Sequence, residues 1–262
     1  GATAIILQGG VVELSSGQSQ METAMLKYTG HPFVDVGIAA IADYCGKQPG
    51  EVNEADFLRV ADYIEQNYVR APLRGHLTMA FTSNAWFIQD AFNPDKPELS
   101  AEKRAERRAT RDRWAAHHVR QWQEQATSGE ICVFTGLPAA PRELSGKLAP
   151  GRLGRNQMPL LQGDDAINFF TGGDPGLPVS PQALLALQFM PMGCAKCGVG
   201  LLAVHSDSEE LTLAFARIFF RQNTEAVMLA QAAGEFVGQR RGLLARAHEH
   251  QRAFAFFLDA RK

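Results

Sequence analysis

Two cysteines three positions apart, Cys194 and Cys197 in "GCAKCGVG", are the residues whose spacing most directly suggests chemistry. A CxxC is half of a structural zinc site, because zinc in such sites takes four tetrahedral ligands, commonly from two knuckles. The segment "CVFTG" resembles the second knuckle, with Thr135 where its second cysteine would stand after Cys132. A threonine hydroxyl is a poor zinc ligand. The site therefore has at most three thiolates, Cys132, Cys194 and Cys197, with His205 or a water to complete it. Two arrangements satisfy these residues: a structural Zn2+ on the three cysteines, and a metal-free, zinc-ribbon-like hairpin. Cys45, at the end of a predicted helix, reads as a buried thiol. Four cysteines so unevenly spaced do not make a disulfide framework in a chain of 262 residues.

Other reactive signatures are missing. The sequence has no GxxxxGK[ST] loop, no GxSxG elbow and no HExxH helix. The zinc deaminase pattern fails twice: Gly193 stands where proline precedes the CxxC, and His31, His76, His117 and His118 lack a glutamate two residues on. Asp164 and Asp165 are adjacent carboxylates that could hold a divalent ion or act as a base, but such pairs in Gly-flanked loops are more often solvated turn residues. The residues favour a protein that is not an enzyme. A metal-dependent nuclease or deaminase-like enzyme and a purely structural scaffold remain the alternatives.

The elements that must position these residues form an α+β pattern, helices and strands without regular βαβ alternation. A helix is predicted over 33–45, with Pro32 at its first position, and a second from Asn53 to Tyr68, stopped by Pro72. "LTMAF" (77–81) reads as a strand leading to a polar turn that carries Asn84. A charged helix follows over Ser100–Gln125, with Trp114 and Trp122 on its packed face. "ICVF" (131–134) reads as a strand, and a Gly-rich loop occupies 151–178. Ser180 and Pro181 open a further helix, "VGLLAVHS" a strand, and two helices fill 208–233 and 236–260. Met21 would serve as a natural start, so 1–20 is expected to be an extension outside the fold. Residues 21–206 form a mixed domain containing the degenerate ribbon (131–200), and 207–262 a helical segment expected to be truncated.

A hydrophobic content of 45% suffices for a substantial core, and a formal net charge of −2 means that any polyanion surface must be local. No run approaches the roughly 18 apolar residues of a membrane span, and no secretory signal opens the chain. The expected location is the cytoplasm, without membrane contact.

Four motifs, "YTGHPFVDVGIAAIADYCGK", "CVFTGLPA", "GRNQMPLLQGDDAINFFTGGDPGLPVSPQALLALQFMPMG" and "CAKCGVGLLAVHSD", occur in the order seen in the CXXC-CXXC family of CRISPR-associated proteins, and the resemblance spans residues 27 to about 222. These are the large subunits of type I-B (and related I-A) Cascade, the prokaryotic complex that carries a crRNA. This chain resembles the N-terminal region of that subunit, a mixed α/β domain with a CxxC insertion and C-terminal helices. The resemblance implies a non-catalytic subunit that sits at the crRNA 5′ end and recognises the protospacer-adjacent motif of double-stranded target DNA. It further implies promotion of the R-loop and recruitment of a helicase-nuclease in antiviral defence. The implied partners are crRNA, target DNA, the helicase-nuclease, the backbone and 5′-handle-binding subunits, and the small subunits. Such a protein needs only a few polar side chains for the short motif and cations for the backbone, since base pairing reads the rest.

Residues suited to that work fall into three groups. In the Gly-rich loop, Arg152 and Arg155 suit phosphate or a guanine edge, and Asn156, Gln157 and Asn168 suit adenine; capping of turns is the alternative for the two asparagines. Asn84 offers a second amide with the same alternative. Lys27 and Tyr28 suit the crRNA handle by charge and stacking, or Tyr28 belongs to the core. Arg104, Arg107, Arg108 and Arg111 recur every three or four residues and gather on one helix face as a phosphate track, or as a solvated face paired with Glu102 and Glu106.

Overall fold

The computed structural model describes residues 26–68, 71–81, 85, 87, 89, 93–94, 96, 98–124, 129–144, 148–154, 157–158, 175–197 and 200–233. The core is built around one apolar helix, α1 (Pro32–Cys45), which is buried from Val34 through Ala42. Proline at its first position costs no hydrogen bond, because the first amides of a helix lack intrahelical partners. At the other end Gly46 adopts φ 69°, and the Gly46 and Lys47 amides donate to the Asp43 and Ala42 carbonyls, closing the helix with a left-handed residue that glycine accommodates without strain.

Helix α1 lies between α5 (Pro181–Phe189) and α6 (Glu209–Ala233). Small residues set these distances. A Cβ at Gly37 would overlap the Ala186 carbonyl, and one at Gly193 would stand 3.0 Å from the Val36 carbonyl oxygen. Helix α5 begins as the sequence predicts, with Ser180 accepting from the Ala183 amide and Pro181 first in the helix, and continues into a 3-10 turn over Met190–Gly193. Tyr44, Tyr63, Phe189 and Phe220 meet in an aromatic cluster, with Tyr44 5.8 Å from both Phe189 and Phe220.

Helix α2 (Glu54–Asn67) starts at the Asn53 cap, whose side-chain Oδ1 accepts from the Asp56 amide while the Asp56 carboxylate accepts from the Asn53 amide. Its stripe of Phe57, Val60, Ala61 and Ile64, continued by Tyr68, is fully buried, and the Tyr68 hydroxyl donates to the Gln188 carbonyl at 2.7 Å. The predicted strand at 77–81 is not formed. Residues Ala71–Leu77 form a short helix, α3, followed by a turn, because Leu77 and Phe81 are both buried and lie one helical turn apart. Helix α4 (Ala101–Val119) ends earlier than predicted, and a 3-10 turn over Gln121–Gln123 follows. Trp122 packs against Phe57, whereas Trp114 is 40% exposed and stacks on His118.

The strand content is small, giving an α+β molecule dominated by helix. Strand β1 (Arg152–Leu153) pairs antiparallel with β2 (Leu177–Pro178), and β3 (Ala195–Cys197) with β4 (Gly200–Leu202). "ICVF" contributes only an isolated bridge, Ile131 to Pro138, around a tight turn. The helix predicted over 208–233 is α6, and its inner face, Ala216, Phe220 and Val227, belongs to the same core as α1. The helix predicted over 236–260 lies outside the described residues. Among the described residues, no helix is long and apolar enough to cross a membrane.

Candidate nucleic-acid interface

Helix α4 is divided along its length. Its burial is confined to the end, at Ala115, His118 and Val119. There Arg120 ties it to α2, 2.5 Å from the Asp62 carboxylate and 2.6 Å from that of Glu65. The stretch 101–114 contains no buried residue, yet it carries six Lys or Arg against three Asp or Glu. Ser100 starts it by accepting from the Lys103 amide. Arg107 donates to the Asn93 carbonyl at 3.1 Å, and Arg111 pairs with Asp112 at 3.0 Å. Arg104 is half-buried, with partners of its own. Arg108 is exposed and, among the described residues, its side chain makes no hydrogen bond or ion pair, as is also true of Lys103. At spacings of three and four residues the four arginines share a face of α4, on which Arg108 is exposed and the other three are half-buried.

The base of the Gly-rich loop is built differently from the sequence expectation. Arg152 lies inside the fold, its side chain 8% exposed, with Nε and Nη2 on the Glu130 carboxylate at 2.5–3.0 Å and Nη1 on the Pro175 and Gly176 carbonyls. Its charge closes the loop against the 130s turn. Gln157 is likewise buried, accepting from the Gly154 amide and donating to the Leu144 carbonyl. Neither side chain offers an edge to a base, because buried polar groups are committed to partners within the protein. Arg155, Asn156, Asn168, the Asp164–Asp165 pair and Asn84 lie outside the described residues.

The structure gathers a cluster that sequence reasoning did not assemble. Asp35, in the first turn of α1, is 2% exposed and accepts from the Thr29 amide and hydroxyl (2.7 and 2.9 Å), the Gly30 amide (2.9 Å) and His205 Nε2 (3.0 Å). It thereby pins the incoming chain and the segment after β4 to one helix start. His31 lies beside it against Phe134, centroids 4.7 Å apart, and burial lowers its basicity, Asp35 partly offsetting this. Thr135 and Ser180 hydroxyls are 2.9 Å apart, so the "TGHPF", "CVFTG", "VSP" and "VHSD" stretches converge here. The only signal in the sequence was an acid four residues after a Thr-Gly-His turn, which is ordinary helix-start chemistry. Lys27 is exposed, whereas Tyr28 is half-buried against the core, and burial followed by Glu209, Asp35 and Glu210 raises its phenol pKa.

The three cysteines expected to share a zinc ion each make separate arrangements. Cys132 is buried in its turn, its sulfur accepting from the Phe134 amide. Cys194 is buried and donates to the Met190 carbonyl at 3.3 Å, and burial pushes its thiol up to about 12. Cys197 ends β3 exposed, and His205 is on Asp35 rather than facing a sulfur. Among the described residues, no three His, Cys, Asp or Glu side chains come together as a metal site.

Comparison with known proteins returned no matching family model, no matching curated protein and no matching solved structure.

Proposed function

We propose that this chain is a non-catalytic, nucleic-acid-binding large subunit of a type I-B Cascade complex. In this reading it binds the crRNA 5′ end, recognises the protospacer-adjacent motif of double-stranded DNA, promotes R-loop formation and helps recruit the helicase-nuclease. The motif order in the sequence supports the family, and one structural observation carries the nucleic-acid role: the basic stretch of α4, outside the core, on a chain whose net charge is −2. A local excess of cations on a near-neutral protein is what sequence-independent contact with phosphates requires. Arg104, Arg107, Arg108 and Arg111 form the phosphate track, and Lys27, exposed two residues before Thr29, adds a cation ahead of the "TGHPF" turn. Base reading falls to Asn84, Arg155, Asn156 and Asn168.

The test uses crRNA-loaded complex containing the full chain and duplex targets with and without the flanking motif. Arg108→Glu is expected to weaken binding to both targets alike, because a phosphate contact carries no sequence information. Asn84→Ala and Asn156→Ala are expected to narrow the difference between the targets. Binding unchanged by Arg108→Glu at low salt would remove the track, and nucleolytic or deaminase turnover abolished by chelation would replace the reading with the enzymatic one.

A further inference from the structure

Helix α4 carries one side chain that a phosphate track does not need. Among the described phenylalanine, tyrosine and tryptophan residues only Trp114 is exposed, and it stands on the helix whose outer stretch is basic. A single exposed apolar residue is ordinary by itself. What gives Trp114 a meaning is its place relative to the arginines.

Trp114 follows Arg107 by seven residues and Arg111 by three. Around the helix it lies within about 20° of the first and about 60° of the second, and about 4.5 Å further along the axis than Arg111. It therefore ends the face on which those arginines stand. The indole is also held in place from below. It stacks on the His118 ring, centroids 5.1 Å apart at 29°, and His118 is buried, with Nδ1 donating to the Trp114 carbonyl at 2.8 Å. Burial holds the His118 pKa down to about 4, so the ring beneath the indole adds no charge to the surface at neutral pH.

A row of cations holds a nucleic-acid backbone, whereas a row of cations that ends on an aromatic ring can hold a backbone and a base. The bases of an intact duplex already stack on one another, so only an unpaired base has a face to offer. We propose that Trp114 is a stacking platform for an unpaired base of single-stranded nucleic acid whose neighbouring phosphates lie on Arg107 and Arg111. This rests on the proposed nucleic-acid role of α4 and adds a preference for single strands that arginines alone do not supply. Every base has a π-face, so the contact is indifferent to sequence.

The test measures binding of the full chain to a thymidine oligonucleotide and to a duplex of the same length, at several salt concentrations. Trp114→Ala is expected to weaken oligonucleotide binding at least about fivefold, the lower end for loss of one stacked base, and to leave duplex binding within about twofold. The salt slope for the oligonucleotide is expected to stay unchanged, because no phosphate contact is lost. Trp114→Phe is expected to bind the oligonucleotide more tightly than Trp114→Ala. The chain has three tryptophans, and the part of its emission that is lost in Trp114→Phe is expected to be quenched when the oligonucleotide binds the parent. The platform is overturned by oligonucleotide binding that is absent in the parent or unchanged in Trp114→Ala, by a loss shared equally with the duplex, by a phenylalanine no better than alanine, or by unquenched Trp114 emission. Arg108→Glu in the same assays separates the two ideas. If it weakens both ligands while Trp114→Ala weakens neither, the phosphate track stands and only the platform falls; if it weakens neither, the track falls as well.

Discussion

At the residue scale, two arginines of similar appearance in the sequence have opposite roles. Arg152 is committed to Glu130 and two carbonyls, and its loss leaves those acceptors without their charged donor. Arg152→Ala is expected to lower the unfolding free energy by about 2–3 kcal/mol in urea titration, the range for hydrogen bonds to charged groups. Arg108→Ala is expected to stay within about 0.5 kcal/mol, as for an exposed residue without partners. His118 gives a pH signature. Its imidazole is fully enclosed, and burial holds its pKa down to about 4, although its Nδ1 bonds to the Trp114 carbonyl at 2.8 Å. The unfolded chain takes up this proton below pH 6.5 and the folded chain only near 4. The contribution is therefore present above pH 6.5 and is lost as pH falls from 6.5 towards 4, a loss on the order of 3 kcal/mol. Unfolding measured across that window should show a smaller decline in His118→Gln than in the parent.

At the scale of elements, the decisive contact is the crossing of α1 and α5. Gly37 permits the two backbones to touch, and a methyl group there meets a carbonyl oxygen, which cannot swing aside as a side chain can. Gly37→Ala is expected to destabilise the protein by about 3 kcal/mol or more, at the upper end for overpacking, whereas Gly50→Ala, with open space around it, should be tolerated. Thermal unfolding of the two variants makes the comparison. The Asp35 cluster works at the same scale, since one carboxylate holds the Thr29–Gly30 turn, the start of α1 and His205, elements separated by up to 170 positions in sequence.

At the scale of the whole molecule, the proposed function is a statement about charge distribution. A chain of net charge −2 attracts a polyanion only through a local surface, so binding should be steeply sensitive to salt. If the four arginines of α4 each neutralise one phosphate, they contribute about −3.6 to the slope of log K against log salt on duplex DNA, at about −0.9 per contact. Arg108→Ala is then expected to make the measured slope shallower by about 0.9, read from binding isotherms at several salt concentrations. A slope identical in parent and variant would separate the basic helix from the phosphate contacts.

The sequence by itself determined the local elements of this protein: the Asn53 and Ser180 caps, Pro32 and Pro181 at first helical positions, and the lengths of α1, α2 and α6. These depend on neighbours within a turn, and such neighbours are written side by side in the chain. The basic run of α4 was legible for the same reason. Only the tertiary structure decided the rest. Residues 77–81 have an apolar pattern short enough to suit a strand or a helical turn, and the burial of Leu77 and Phe81 on one side settled it. Arg152 and Gln157 have the chemistry of base readers, but Glu130 and the Leu144 carbonyl, remote in sequence, claim them. Cys194 and Cys197 stand three positions apart, yet Cys194 is buried and Cys197 exposed, a difference that the spacing does not contain. Burial, ion pairing and convergence of this kind are properties of contacts between distant segments, and a linear pattern does not contain them.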